Sequence, residues 1–143
     1  MSLGQIHTTL AFRTSGPGFL DITGDIGGWL ASARVGDGVV TLLIRHTSAS
    51  LVIQENADPD VLTDLGTALD RLVPRDHPWR HDMEGPDDMP AHVRAMVTGA
   101  SLSIPVREGR MMLGTWQAIY IAEHRDRPHQ REVACAFIGA LRG

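Results

Sequence analysis

Ile6, Thr8, Leu10 and Phe12 lie on one side of a two-residue alternation, the period of a strand with one buried face. Gly16-Pro17-Gly18 breaks that run, and a short second strand is expected over Phe19 to Ile22. From Gly24 to Arg34 the apolar positions Ile26, Trp29, Leu30 and Ala33 recur at helical spacing, with Gly36 as a C-terminal stop. Val39-Val40-Thr41-Leu42-Leu43-Ile44 is β-branched or apolar throughout, which predicts a central strand covered on both faces with Leu51-Val52-Ile53 as its neighbour.

A second helix should start at Asp58-Pro59, where a carboxylate can cap free amides and proline suits the first turn. Val61, Leu62, Leu65, Leu69 and Leu72 then form one apolar stripe that ends before Pro74. Asp88 can cap a third helix that turns Val93, Met96 and Val97 inward and stops at Gly99. Four strands follow, over Leu102 to Val106, Met111 to Leu113, Gln117 to Glu123 and Glu132 to Ile138, with Glu108-Gly109 as a hairpin turn. Strands at both ends with helices between them predict an α+β fold. Its mainly antiparallel β-sheets form a sandwich-like arrangement with helices packed on part of it.

The 143 residues suit a single domain spanning 1–143. The net charge of -4 and the lack of a lysine or arginine run argue against a nucleic-acid partner. No apolar stretch reaches the roughly 20 residues of a membrane helix, and no secretory pattern opens the chain, so a cytoplasmic protein without a membrane partner is expected. The single cysteine, Cys135, lies in an apolar run and reads as buried filler.

The densest chemistry lies in His81-Asp82-Met83-Glu84-Gly85-Pro86-Asp87-Asp88-Met89-Pro90-Ala91-His92. Its acids can neutralise a cation, its imidazoles can ligate one or move protons, and Gly85-Pro86 can fold the ends together. His46-Thr47-Ser48-Ala49-Ser50 follows the apolar strand directly, and its hydroxyls can hold phosphate oxygens or simply bond their own turn. Asp58 is explained by capping, whereas Asn56 beside it is not. Gly114-Thr115-Trp116-Gln117 joins a flexible glycine to a flat aromatic wall, although a core tryptophan is the simpler reading. In the charged loop from His124 to Arg131, three arginines can grasp an anion or form a solvated tip.

Taken in order, His46-Thr47-Ser48-Ala49-Ser50, Glu55-Asn56-Ala57-Asp58, the stretch from Glu84 to His92, Ser103-Ile104-Pro105 and Leu113-Gly114-Thr115-Trp116-Gln117 resemble the YjbQ family. This family is also called secondary thiamine-phosphate synthase. The resemblance runs from the first strand to the last. It implies a compact α+β subunit, a homotrimer, and a polar pocket at or near subunit contacts. Carried onto matching positions, it singles out His46, Ser48, Asn56, Asp58, His81, Glu84, Asp88, His92, Trp116, Gln117 and Glu123. The chain departs from the pattern at Arg80, where an aromatic residue is expected before the histidine.

The activity that the resemblance implies is transfer of a pyrimidine-methyl group from its pyrophosphate ester to a thiazole phosphate, with release of pyrophosphate. His46, Asn56, Glu84 and Asp88 are the expected catalytic residues. Ser48, Ser50, Trp116, Gln117 and Arg125 are expected to bind the phosphorylated substrate. A divalent metal would stabilise the leaving group. Asp88 with Glu84 suits magnesium, whereas His46, His81 and His92 suit zinc. The alternatives are a metal-dependent hydrolase of a small phosphorylated metabolite and a non-catalytic, metabolite- or metal-binding trimer.

Overall fold

The computed structural model describes residues 2–142. The chain folds in the order β1 (Ser2–Arg13), β2 (Gly18–Asp21), α1 (Thr23–Ser32), β3 (Val35–Ile44), β4 (Ala49–Glu55), α2 (Pro59–Leu72), α3 (Asp88–Thr98), β5 (Ser101–Arg107), β6 (Arg110–Met111), β7 (Gln117–Glu123) and β8 (Gln130–Leu141). Two antiparallel sheets result, one ordered β1-β8-β3-β5-β6 and the other β2-β7-β4. The expected α+β architecture is what forms.

One apolar cluster joins the two sheets. Val40, Leu42 and Ile44 of β3, Val133 and Phe137 of β8, and Ile104 and Val106 of β5 meet Ile119 and Ile121 of β7 and Leu51 of β4. Ile26 and Leu30 of α1 complete it. The remaining face of the three-stranded sheet lies toward α2 and α3, so β7 is buried at every residue from Ala118 to Glu123. Where β8 crosses β3, Gly38 pairs with Gly139, and a Cβ on either would collide with the facing backbone.

Three expectations are corrected. β3 is not covered on both faces: Val39, Thr41 and Leu43 point outward while Val40, Leu42 and Ile44 point inward, and β7 takes the doubly covered position instead. β4 is not a neighbour of β3 but pairs with β7 in the second sheet. Helix α3 buries Asp88, Pro90, Ala91 and Arg94, while Met96 and Val97 are exposed. Polar partners inside the fold outweighed the apolar stripe in setting that orientation. Smaller differences lie at the ends of elements. Helix α1 stops at Ser32, with Arg34 in the left-handed region, so Gly36 does not end it. β6 covers Arg110–Met111 rather than the expected run to Leu113.

Other local readings hold. Asp58 caps α2 by accepting from the Asp60 amide at 2.9 Å, and Pro59 occupies its first turn. Glu108 and Gly109 both adopt positive φ in the β5–β6 hairpin. Cys135 is buried, and burial pushes its thiol up to about 11. Among the described residues, no helix is long and apolar enough to cross a membrane.

Candidate metal centre

Asp88 and His92 are one helical turn apart on α3, so the helix itself aims both side chains at one point. The preceding loop supplies His81. His81 Nε2 lies 2.6 Å and His92 Nε2 3.2 Å from the same oxygen, Asp88 Oδ2. The three ligand atoms lie within 4.8 Å of one another. The Asp88 side chain is 3% exposed, against 44% for His81 and 33% for His92, so the carboxylate forms the floor and the imidazoles form an open rim.

Asp88 is held from behind. Arg125, in the loop after β7, donates Nη1 to Asp88 Oδ1 at 2.7 Å, Nε to Asp87 Oδ2 at 2.8 Å and Nη2 to the Glu84 carbonyl at 3.2 Å. Asp87 also accepts from the Asp126 amide at 2.9 Å. Burial by itself would raise the Asp88 pKa, but the His81 hydrogen bond and the Arg125 charge hold it below the ordinary carboxylate range. Asp87 is likewise brought down to about 2: burial opposes the shift, and the Arg125 and Asp126 hydrogen bonds win. Both groups are therefore carboxylates at neutral pH.

The orientation of His92 carries the most information. Its Nδ1 lies 3.0 Å from the Thr47 carbonyl oxygen, which can only accept, so the ring proton sits on Nδ1. In the neutral ring Nε2 then carries a lone pair directed at the carboxylate oxygen. At 3.2 Å the two atoms are held together either by a second ring proton or by a metal cation between them. A backbone carbonyl behind a ligating histidine is the arrangement that fixes tautomer and ring direction in metal sites.

A second polar cluster lies deeper. Arg131 on β8 and Glu123 on β7 form a buried pair in which Arg131 Nε donates to Glu123 Oε1 at 2.8 Å. Arg131 Nη2 also donates to Ser48 Oγ at 3.0 Å, and Thr14 donates its hydroxyl to Glu123. Burial opposes ionisation of Glu123, but Arg131 and Thr14 keep its pKa lowered. Beside it, Ser50 Oγ lies 2.8 Å from His124 Nε2 and accepts from Thr98 on α3. Burial lowers the His124 pKa to about 4, so its ring is neutral.

The expected site residues therefore separate. His81, Asp88 and His92 converge; Arg125 and the Glu84 backbone brace them, while the Glu84 side chain is exposed. His46 stays outside the cluster: its Nε2 accepts from the Glu132 amide at 2.8 Å, and burial followed by the nearby Arg131 charge lowers its pKa. Ser48 and Ser50 belong to the deeper network. Asn56 Nδ2 donates to the Thr115 carbonyl at 3.2 Å, and Gln117 Oε1 accepts from the Gly114 amide at 2.7 Å, so both residues pin the turn that carries Trp116. Trp116 is 64% exposed and is not a core residue. Thr14 and Thr98 were not singled out from the sequence, and Arg131, expected in a charged loop as one of three arginines that grasp an anion or form a solvated tip, is instead buried against Glu123. The available signal for Arg131 was an acid closing an apolar strand and an arginine opening the next one.

Comparison with known proteins decides the family. Residues 8–140 match the family model described as UPF0047 protein YjbQ-like. The chain belongs to the YjbQ/UPF0047 family. It is 50% identical over 130 residues to the UPF0047 protein sll1880 of Synechocystis, covering 90% of this chain and 88% of that one. It is 41% identical over 132 residues to YjbQ of Escherichia coli O157:H7, covering 92% and 96%. A solved YjbQ/UPF0047 structure from Clostridium acetobutylicum superposes with a TM-score of 0.85 at 36% identity, covering 92% of this chain and 99% of that one. A Sulfolobus solfataricus structure at 22% identity and TM-score 0.84, covering 95% and 99%, shares the fold.

These relatives correct the expected activity. They are named as UPF0047 proteins, and the Sulfolobus protein is described as being of unknown function. None is named for pyrimidine transfer to a thiazole phosphate or for hydrolysis of a phosphorylated metabolite. Family membership holds, and the reaction attached to it is withdrawn.

Proposed function

We propose that this protein binds one divalent transition metal per chain, zinc foremost, through His81 Nε2, Asp88 Oδ2 and His92 Nε2. The observation that carries this reading is the His92 ring, whose Nδ1 proton is committed to Thr47 while Nε2 faces a carboxylate oxygen. Two imidazoles favour zinc over magnesium, which prefers oxygen ligands. Ligand atoms on a tetrahedral zinc with 2.0 Å bonds stand roughly 3.3 Å apart. The 3.2 Å between His92 and Asp88 already matches that spacing, and His81 needs to withdraw from Asp88 by less than 1 Å.

Three protein ligands leave a coordination position open, and the two exposed imidazole edges put it on the solvent side. Zinc with one carboxylate keeps a net positive charge, so the ligand that suits this position is a small anion. The family resemblance adds a homotrimer. The outward face of the five-stranded sheet, with Val39, Leu43 and Ile138 exposed, is the apolar surface such an assembly would use.

Titration of chelator-stripped protein with zinc against a metal-indicator dye tests the centre. One zinc per chain is expected, with affinity falling at least a hundredfold in Asp88→Asn and in His92→Ala. Equal affinity in the wild type and both variants would refute the assignment.

A further inference from the structure

Helix α2 carries the strongest apolar stripe of the three helices, yet none of its residues is buried, and Leu72 remains 72% exposed. The helix stands off the sheet beneath it. Two cavities of about 360 Å³ each fill the gap, and Phe19 and Leu69 line both. One is mainly apolar, with Leu51, Val52, Leu65 and Leu102 in its walls. The other is lined by Arg94, Asp70, Glu123 and His124, beside Thr63 and Gly66, with Glu123 already committed to Arg131.

Arg94 is unusual. It is 5% exposed, and its Nη2 donates to the Val73 carbonyl at 3.0 Å and lies 3.1 Å from Asp70 Oδ1. Its Nε is buried without a hydrogen-bond partner among the described residues. The side chain of Asp70 is 70% exposed, so a buried cation is balanced by a carboxylate that water screens. A ligand carboxylate entering the cavity would meet that cation in a drier setting than Asp70 can provide. The adjoining apolar space would receive a hydrocarbon body.

We propose that the gap beneath α2 binds a small carboxylic acid with an apolar tail, its carboxylate on the Arg94 guanidinium and its tail across Phe19 toward Leu51 and Leu65. This site is separate from the metal centre and does not rest on it. Gly66 makes the site testable: it lines the cavity, and a Cβ added there meets nothing within 4 Å, so a side chain can be introduced at that wall.

The probe is octanoate, followed by calorimetric titration of the full chain in excess chelator, which removes any contribution from zinc. One octanoate per chain is expected, with octanol binding at least tenfold more weakly. Affinity should fall by up to about fourfold for each methylene removed from the acid. Gly66→Leu should abolish octanoate binding without lowering the melting temperature, and Arg94→Gln should weaken it at least tenfold. If Arg94→Gln does not fold, Gly66→Leu and the octanol contrast decide. The proposal is overturned if wild type shows no saturable octanoate binding, or if Gly66→Leu binds as wild type does. It is equally overturned if Gly66→Leu changes the sedimenting mass of the assembly while wild type ignores octanoate, since a second copy of the chain then covers α2.

Discussion

The protein contains two polar clusters of similar composition and opposite design. In the interior, Glu123 meets Arg131, Thr14 and Ser48, while Ser50 meets His124 and Thr98, so these side chains find their partners within the protein. At the rim, Asp88 is equally buried, but the groups facing its outer oxygen are two half-exposed imidazoles whose Nε2 atoms converge on it. Satisfied hydrogen bonding marks the interior cluster as architecture. Ligand atoms gathered on one oxygen, braced from behind by Arg125 and Thr47, suit the cation proposed for the rim.

The largest effect should come from breaking the interior pair. Arg131→Met leaves Glu123 buried without its cation, and removing one partner of such a pair costs about 3–5 kcal/mol. Urea unfolding should show that loss. If it shows under 1 kcal/mol, the interior cluster is not holding β7 and β8 together. Asp88 should respond differently. Its replacement by asparagine keeps a hydrogen-bond acceptor for Arg125, so zinc affinity should fall far more than stability.

Acid should separate the clusters next. The His124 pKa is about 4 in the fold and about 6.5 when unfolded, so between those values the unfolded chain binds the extra proton. The stability contributed by neutral His124 is complete above pH 6.5 and is lost as pH falls toward 4, a change of about 3 kcal/mol at most. His46 shifts in the same direction, so His124→Gln should flatten most but not all of the slope in unfolding free energy between pH 7 and pH 4.5. The depressed carboxylates Asp88 and Glu123 act at lower pH, because each must be protonated below its already lowered pKa before its contribution disappears. An unchanged slope in His124→Gln would show that the ring is not held neutral.

How much of this was legible depends on the range of the forces involved. Helix α2 could be read because Asp58, Pro59 and the leucine stripe are local signals, and the β5–β6 hairpin because Glu108-Gly109 is. The assignment of β4 to the second sheet could not be read, since a run such as Leu51-Val52-Ile53 records burial but not which strand covers it. The facing of α3 was misread for a related reason. Arg125 and the Val73 carbonyl, distant in sequence, draw Asp88 and Arg94 inward and turn Met96 and Val97 out. At the site, the density of acids and imidazoles between His81 and His92 was legible, but the pairing of Asp88 with His92 was not, since Asp88 was read as a cap and as a partner of Glu84. His46 belonged to the same expected ligand set, but the amide it would accept from, on Glu132, lies 86 residues away and leaves no local trace.

Zinc should change stability as well as occupancy. At a hundredfold excess over the dissociation constant, a ligand that binds only the folded state adds about 2.7 kcal/mol. Chelation should remove that increment from the wild type and leave His92→Ala unaffected, as read by unfolding with and without metal. An equal zinc effect on the wild type and His92→Ala would place the metal elsewhere.

The smallest effect concerns where the rim loses structural weight. Arg75 pairs with Asp126, whose amide holds Asp87, so a chain of charges runs from the surface to Asp88. The outermost pair is 39% and 46% exposed, and ion pairs in water contribute about 0–1 kcal/mol. Arg75→Ala should therefore cost less than about 1 kcal/mol and leave zinc affinity within twofold, because Arg125 holds Asp87 and Asp88 directly. If zinc affinity instead falls tenfold, the brace extends to the surface. The contrast between a saturated interior and an open rim would then be one of exposure only, with both clusters held by fixed networks.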